Sequence, residues 1–443
     1  MTTYMYTIIQ KIIGSTFLFL FFTMNLVAQS TIDISLSEAK SKAQKNNIKL
    51  KIFQQDYAIA KAKFEQSSAV LLPNINLSNT SSFTNNPLNA FGFKLLQQSV
   101  TVPDFNPDFL NHPGQVKNFN TKIELIQPII NIDGWKERKA AGFQLEMANL
   151  QLERTADYIQ LEVIKTFMNL QLAYKSIDVI NKAWETAIEN RKLAKNSLSQ
   201  GLIQNADYLN VEVRVIEIQN QLRFAKSDVK NISDYLSFLM GQNSGNLLKP
   251  EKELALERVD FDEGIQLNME RNDIKAIQFG VKAQEQMLEA SKNRFIPRAN
   301  VFANLEWNDD EFLGFGSNNY MLGLQLSWDI FKGYKNIGKI HQEKAQLEKA
   351  NLNKNNYIAQ SELELNKAKR QLTDVKNNLN LTKIAMNQSK EALRIKTNRF
   401  EQGLEKTSEI LYVESQYQEK ELDYYRAIFN FNYTLAYLNY LTK

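Results

Sequence analysis

His112 and His341 are the only histidines in the 443 residues, and there is no cysteine. Without a thiol the chain has no disulfide framework, no thiolate metal site and no cysteine nucleophile. An N-terminal lipid attached through cysteine is excluded for the same reason. Neither histidine has carboxylates around it at metal-ligand spacing. The sequence contains no G-x-S-x-G elbow, no phosphate-cradling G-x-x-x-x-G-K-[ST] loop and no G-x-G-x-x-G turn. These absences predict no enzyme, no cofactor and no metal. The residues with telling spacing are of another kind. Gly201 and Gly403 each sit in a Gln-Gly-Leu triplet, with Leu202 and Leu404 next, and an acid follows each at the same distance, Asp207 and Glu409. A glycine there ends a helix, because it takes positive φ without strain. An acid just beyond starts the next helix, as an N-cap or a first-turn residue favoured by the helix dipole.

The triplets belong to a duplication that spans the chain. SLSQGLIQNADYLN at 197–210 returns as RFEQGLEKTSEILY at 399–412, and the segment 46–73 returns at 272–297. Each half reads helix, Pro, short alternating segments, very long helix, Gly, helix, which sets two similar units side by side. Glycine is scarce, 16 in all, and five of the eight prolines lie between Pro73 and Pro113. Neither residue interrupts 143–200 or 339–402, so both runs are free to be helical. Helices are expected from about Trp135 to Gln200 and over 334–402, each a rod of roughly 100 Å at 1.5 Å per residue. Shorter ones follow over 205–240 and 406–440. An earlier helix starts behind Ser35 or Ser37, breaks at Asn46-Asn47, resumes to about Val70 and stops before Pro73. Leu161, Ile164 and Met168 form one apolar seam of the first long helix. Val163, Phe167, Leu170, Tyr174 and Ile177 form a second. A two-helix coiled coil needs one seam, so two imply neighbours on both sides. Elsewhere on these helices Lys and Glu alternate, the pattern of a solvated face.

Four segments alternate with period two. Ile75, Leu77 and Phe83 oppose Asn74, Asn76, Ser78 and Ser82. Phe119, Ile123 and Leu125 oppose Asn118, Asn120, Lys122 and Glu124. Val301, Ala303, Leu305 and Trp307 oppose Arg298, Asn300, Asn304 and Glu306. Tyr320, Leu322, Leu324, Leu326 and Trp328 oppose Asn319, Gln325 and Ser327. Each is about ten residues, the length of a tilted membrane strand, with aromatics towards the ends. A half-buried strand of a soluble sheet would read the same singly, but the four are paired at matching places in two repeats. The first pair is joined by a surface loop over 84–117 that holds four prolines, the second by a short link over 308–318.

Residues 1–28 read as a secretory signal, with Lys11, the apolar run IIGSTFLFLFFTM and cleavage after Ala28. The run is shorter than the ~20 residues of a helical span. Net charge is +4, and loss of Lys11 lowers it by one, too mild for a nucleic-acid footprint. Four strands cannot close a barrel, which needs at least about eight, and an open edge in lipid leaves backbone groups unpaired at several kcal/mol each. Three copies would supply twelve.

With order, spacing and duplication in place, the sequence resembles the TolC-like outer-membrane factor family over nearly its whole mature length. The resemblance is carried by LLPNINL at 71–77, IELIQPIINIDGW at 123–135, LQLSWDIFKGY at 324–334, both Gln-Gly-Leu turns, and the loop at 90–119. It implies a mostly α fold with membrane β: a trimer with a twelve-stranded barrel in the outer membrane, an α-helical barrel in the periplasm and an equatorial collar. Its divisions are a signal at 1–28, a first repeat at 29–240, a linker or equatorial segment at 241–260, and a second repeat at 261–443. The implied function is a passive export duct of a tripartite efflux or type I secretion system. The implied partners are further copies of the chain, a periplasmic adaptor, an inner-membrane pump or ABC exporter, and outer-membrane lipid, with no nucleic acid. Such ducts carry drugs, metal ions, polypeptides or siderophores, and selectivity resides largely in the pump. By the same resemblance Gly201, Leu202, Gly403 and Leu404 form the adaptor-docking tips, and Asp207, Glu405 and Glu409 ring the periplasmic entrance. Glu405 stands where a gating Arg is often found in the family, and Tyr412 stands at the place of a second acid. The alternative is a structural periplasmic coiled-coil or adaptor protein, for which a single hairpin flanking a compact β domain is expected.

Overall fold

In the computed structural model, residues 31–257 and 264–443 are described; the expected signal at 1–28 lies outside them. The elements in chain order are β1 (Thr31–Ile34), α1 (Leu36–Asn46), α2 (Ile48–Gln66), β2 (Asn74–Thr84), α3 (Pro87–Leu96), α4 (Pro107–Asn111), β3 (Val116–Ile130), α5 (Ile132–Ser199), α6 (Asn205–Leu239), β4 (Leu247–Pro250), α7 (Asn272–Asn293), β5 (Arg298–Asp309), β6 (Ser317–Ser327), α8 (Lys335–Glu401) and α9 (Thr407–Thr442). Among the described residues no helix is long and apolar enough to cross a membrane. Two compact units emerge. The strand unit holds Ile52–Thr155 and Asn268–Glu362. The helix unit holds the described residues up to Lys51, with Ala156–Leu267 and Leu363–Lys443.

In the strand unit, β2-β3-β5-β6 form one antiparallel sheet in that order. The ladder shifts between Pro128 and Ile130, where proline has no N–H to give. Helices join all four strands at one end, and the β2–β3 and β5–β6 connections lie at the other. Charge fixes the helix-to-strand junctions. Asp133, in the first turn of α5 and 2% exposed, pairs with Arg298 at the start of β5. The Arg138 guanidinium stacks on Phe64 at 4.4 Å and donates to Ser68 Oγ at 2.7 Å, tying the end of α2 to α5.

A buried charge cluster ties α5, α7 and α8 together within this unit. The Asp273 carboxylate accepts from Arg271 Nε (2.7 Å) and Nη2 (2.9 Å) and from the Tyr357 hydroxyl (2.7 Å). It also pairs with Arg154 Nε at 3.1 Å. Arg271 reaches on to Ser361 Oγ at 3.0 Å. Burial opposes ionisation of Asp273, but the hydrogen bonds from Arg271 and Tyr357 and the charge of Arg154 outweigh it and hold the carboxyl below its usual range.

The helix unit buries the seams expected for α5. Val163, Phe167 and Leu170 pack with Ile34, Ala39, Ala43, Leu236, Met240 and Leu248, while Leu161 and Met168 are buried on the other side. Full burial of one such side chain is worth about 1.5–3 kcal/mol. Ser35 caps α1, accepting from Glu38 N–H at 3.2 Å. The break before α2 is made by Asn47. Its Oδ1 takes the Leu50 N–H at 3.1 Å, and its Nδ2 donates to Leu239 O at 2.8 Å. Within 241–257, β4 pairs in parallel with β1. One feature departs from the sequence expectation. The loop 84–117 carries two helices and a 3₁₀ turn at Val102–Phe105.

Substituting Asp273→Ala leaves Arg271 and Arg154 buried without their shared carboxylate, at a cost of about 3–5 kcal/mol. Thermal melts of the purified protein check this, and a loss under about 1 kcal/mol would show the cluster to be dispensable.

Candidate functional site

The sheet has two chemically distinct faces, and the strand register aligns them. Ile75 lies opposite Leu125, Leu77 opposite Ile123, Ile123 opposite Leu305, Ala303 opposite Leu322 and Val301 opposite Leu324. These apolar positions, drawn from all four strands, therefore fall on one face. That face is bare in the chain: Leu77 is 68% exposed, Leu322 69% and Leu324 68%. Leaving so much aliphatic surface in water is unfavourable by about 25 cal/mol per Å², so the face calls for a non-aqueous neighbour. At the hairpin end, Phe83, Phe119 and Phe312 meet edge-on at 6.0 and 5.8 Å, and Trp307 meets Phe315 at 6.0 Å. At the helix end, Trp328 Nε1 donates to Phe295 O at 2.9 Å, and Phe331 and Tyr334 pack edge-on. These are two aromatic belts bounding an aliphatic band.

The opposite face is mainly polar. Lys122 Nζ lies 3.3 Å from Glu124 and 3.8 Å from Glu306. Asn308 Oδ1 accepts from Asn118 Nδ2 (2.9 Å) and Asn120 Nδ2 (3.0 Å). Val116, Ile126, Pro128, Phe302 and Met321 are the exceptions on this face, and the expected alternation passed over Ile126, Phe302 and Met321.

The two helix reversals, in the helix unit, share one construction. Gly201 and Gly403 both have φ of 71°. Gly201 N–H bonds to Leu198 O and Leu202 N–H to Ser197 O, and Gly403 and Leu404 repeat this on Phe400 and Arg399. This is a Schellman turn, in which the residue after the glycine usually packs back on the helix. Here Leu202 and Leu404 do not: they are 70% and 62% exposed. Asp207 sits in the first turn of α6, its carboxylate accepting from Gln204 N–H at 3.2 Å.

The second turn carries charges that the first lacks. Glu405 lies 3.0 Å from Lys396 Nζ and 3.2 Å from Arg399 Nε, and Glu409 lies 3.6 Å from Lys396. The hydrogen bond from Lys396, with that from Arg399, holds the Glu405 carboxyl below its usual range. Glu405 is thus engaged within its own turn. Lys396 and Arg399 were not among the residues expected at the entrance, although the sequence RIKTNRFEQGLE sets both close before the turn. His112 ends α4 and His341 is exposed on α8.

One further group escaped the sequence analysis. Glu414, Gln418 and Glu421 stand at helical spacing on α9 and are buried, not solvated. Glu414 is 2% exposed and accepts from Asn190 Nδ2 of α5 at 3.1 Å. Gln418 accepts from Arg214 Nη2 at 2.9 Å and donates to Gln221 Oε1 at 2.9 Å, both on α6. Burial pushes the Glu414 carboxyl up to about 7, against the pull of the Arg214 charge and the Asn190 hydrogen bond. The native state therefore holds a proton that the unfolded chain has released between about pH 4.5 and 7. Stability from this group is complete below the lower value and lost as pH rises to the upper. Glu414→Gln should make the protein more stable than the parent at pH 8, by up to about 3 kcal/mol, with the difference vanishing near pH 4. Melting curves at the two pH values read this directly, and equal shifts at both would contradict it.

The family model described as "Outer membrane efflux protein" matches residues 39–242 and 266–429. No curated protein sequence matches the chain. Among solved structures, a membrane protein from Pseudomonas aeruginosa is 16% identical, with 92% of each chain covered and a TM-score of 0.81. The CmeC outer membrane channel of Campylobacter jejuni is 15% identical over 92% of this chain and 85% of its own, with a TM-score of 0.78. The outer membrane protein VceC of Vibrio cholerae is 16% identical over 92% of this chain and 96% of its own, with a TM-score of 0.77. At such identities the likeness is one of fold, and it is the TolC-like fold. The family match covers most of the chain in both repeats, and the chain belongs to the outer membrane efflux protein family.

Proposed function

We propose that the chain is one third of an export duct across the outer membrane and periplasm, working with a periplasmic adaptor and an inner-membrane pump or ABC exporter. The observation that carries this reading is the single aliphatic face spanning all four strands, bounded by aromatic belts and backed by a polar face. Lipid is the neighbour that such a face fits, and water fits the other side. In this reading three copies place twelve strands around one lumen, and residues 1–28 direct export to the envelope. Each repeat, 29–240 and 261–443, adds one strand pair and one long helical hairpin, with 241–260 between them. An adaptor or filament has no use for four strands of this kind.

The turns at Gly201-Leu202 and Gly403-Leu404 are the docking tips for the adaptor, since each presents an uncovered leucine on a rigid Schellman turn. Asp207, Glu405 and Glu409 line the entrance beside them. Glu405 held by Lys396 and Arg399 makes the second turn the more polar of the two.

Leu324→Arg should cost about 2–4 kcal/mol if the site lies near the bilayer midplane and deplete assembled protein in outer-membrane fractions. Gln325→Arg, on the other face, should be tolerated, and equal depletion by both would refute the register. For the tips, Leu202→Asp with Leu404→Asp should abolish export and adaptor crosslinking while leaving assembled protein in the membrane, because charge replaces an apolar contact. Gly201→Pro with Gly403→Pro should do the same by denying the turn its positive φ. Normal export and crosslinking in these variants would reduce the turns to plain helix reversals.

A further inference from the structure

The two connections at the hairpin end of the sheet differ in kind. The β5–β6 link turns within a few residues, closed by Asp309, which accepts from Glu311 N–H at 3.1 Å and Gly316 N–H at 2.8 Å. The β2–β3 link carries α3, the 3₁₀ turn and α4. It does not stand out as a loose surface loop. Leu96 O, in the last turn of α3, accepts from Ser317 Oγ at 2.5 Å. Gln97 Nε2 donates to Lys117 O at 2.6 Å and to Asn118 Oδ1 at 3.0 Å. Ser317 pairs with Asn308, and Asn118 with Ser82, so these side chains share the polar face.

Burial shows which side the link covers. Asn118, Asn308 and Ser317 are at most 3% exposed. At the same end, Phe83 on the apolar face is 55% exposed and Tyr320 is 80% exposed. The cover is laid over the polar face alone.

The link is also built to hold its shape. Asn86 and Asn106 cap its two helices, taking the N–H groups of Asn89 at 3.2 Å and Asp108 at 2.9 Å. Asp104 joins the 3₁₀ turn to α3 through Lys94 Nζ at 2.5 Å and takes the Thr101 N–H at 2.7 Å. Phe91 and Phe105 meet edge-on at 5.7 Å, and Ala90 is 1% exposed. The hydrogen bond from Lys94 leads in drawing the Asp104 carboxyl down to about 2, so this tie persists at any physiological pH. Pro87, Pro103, Pro107 and Pro113 reduce the freedom of the unfolded segment.

We infer that residues 86–115 form a fixed inner lid at the outward mouth of the duct, one from each copy, and that this lid sets the largest molecule able to leave. The inference rests on the reading of the polar face as the lumen. Apolar side chains stand on the lid's free surface, with Leu88 81%, Val102 87% and Phe105 62% exposed.

The absence of cysteine makes the test direct. Gln325→Cys places a single thiol on the polar face, and intact cells are treated with either a small charged maleimide or a bulky polyethylene-glycol maleimide. Two lid variants are compared with the parent lid. In one, 86–115 is replaced by an Asn-Gly turn; in the other, Ala90→Asp and Gln97→Ala unseat α3 and leave the strands untouched. Heat-resistant migration confirms assembly in each case. With the parent lid, the bulky reagent should fail to label the thiol; with either lid variant, it should label as readily as the small one. Equal labelling by the bulky reagent with the parent lid overturns the lid, as does size discrimination that survives both lid changes. Failure of both reagents to reach the thiol in assembled, lid-free protein places Gln325 outside any outward-open lumen, and that result removes the duct reading as well.

Discussion

Among the described residues, β2 and β6 each have a neighbour on one side only, and their other edges carry a row of backbone N–H and C=O groups. In water such an edge is merely adhesive. In hydrocarbon it is untenable, because every unpaired group costs several kcal/mol and no solvent can supply the missing bond. The exposed aliphatic face suits hydrocarbon, and in the proposed duct the edges are paired by other copies of the chain. The register within the chain serves that end. The continuous aliphatic band stays on one face through all four strands, so edge-to-edge pairing in the proposed duct continues a lipid-facing wall and leaves a mainly polar interior.

The duplicated chain meets this constraint twice and then lets its copies diverge where the constraint is silent. Both repeats keep a strand pair, a long helix and a glycine turn with φ of 71°. The turns differ in charge: Lys396, Arg399 and Glu405 stand where the first repeat has Ala194, Ser197 and Ile203. The hairpin connections differ more. One closes on Asp309, and the other becomes a folded cover on the polar face. Divergence at these places leaves the strand pairs and the long helices of the two repeats alike.

Architecture was legible in the sequence because it rests on periodicity. Alternation over ten-residue segments set the faces of the sheet, and runs free of Gly and Pro set the long helices to within a few residues of α5 and α8. The β1–β4 pair was not legible. Four-residue strands have no period to read, and this pair is held by tertiary partners: Leu248 N–H donates to Ser233 Oγ at 3.2 Å, and Tyr174 OH donates to Leu248 O at 3.0 Å. The helices of the 84–117 link did leave a trace, Asn-Pro at 86–87 and again at 106–107, a cap followed by proline in the first turn. Glu414 escaped the sequence analysis for a different reason. An acid on a helix surface and an acid between helices have the same local sequence, and only the packing of Asn190 and Arg214 around it distinguishes them. Charge partners across the second turn were hidden likewise, since Lys396 and Glu405 meet only once the chain has reversed.

Closure by several copies is the claim on which the account depends, and native mass measurement of protein extracted from outer membranes in mild detergent tests it most directly. A particle of three chains, giving twelve strands in one ring, is the predicted result. A single chain stable in detergent, or a particle of two, would contradict the account, because the edges of β2 and β6 would then have found their partners in some other way.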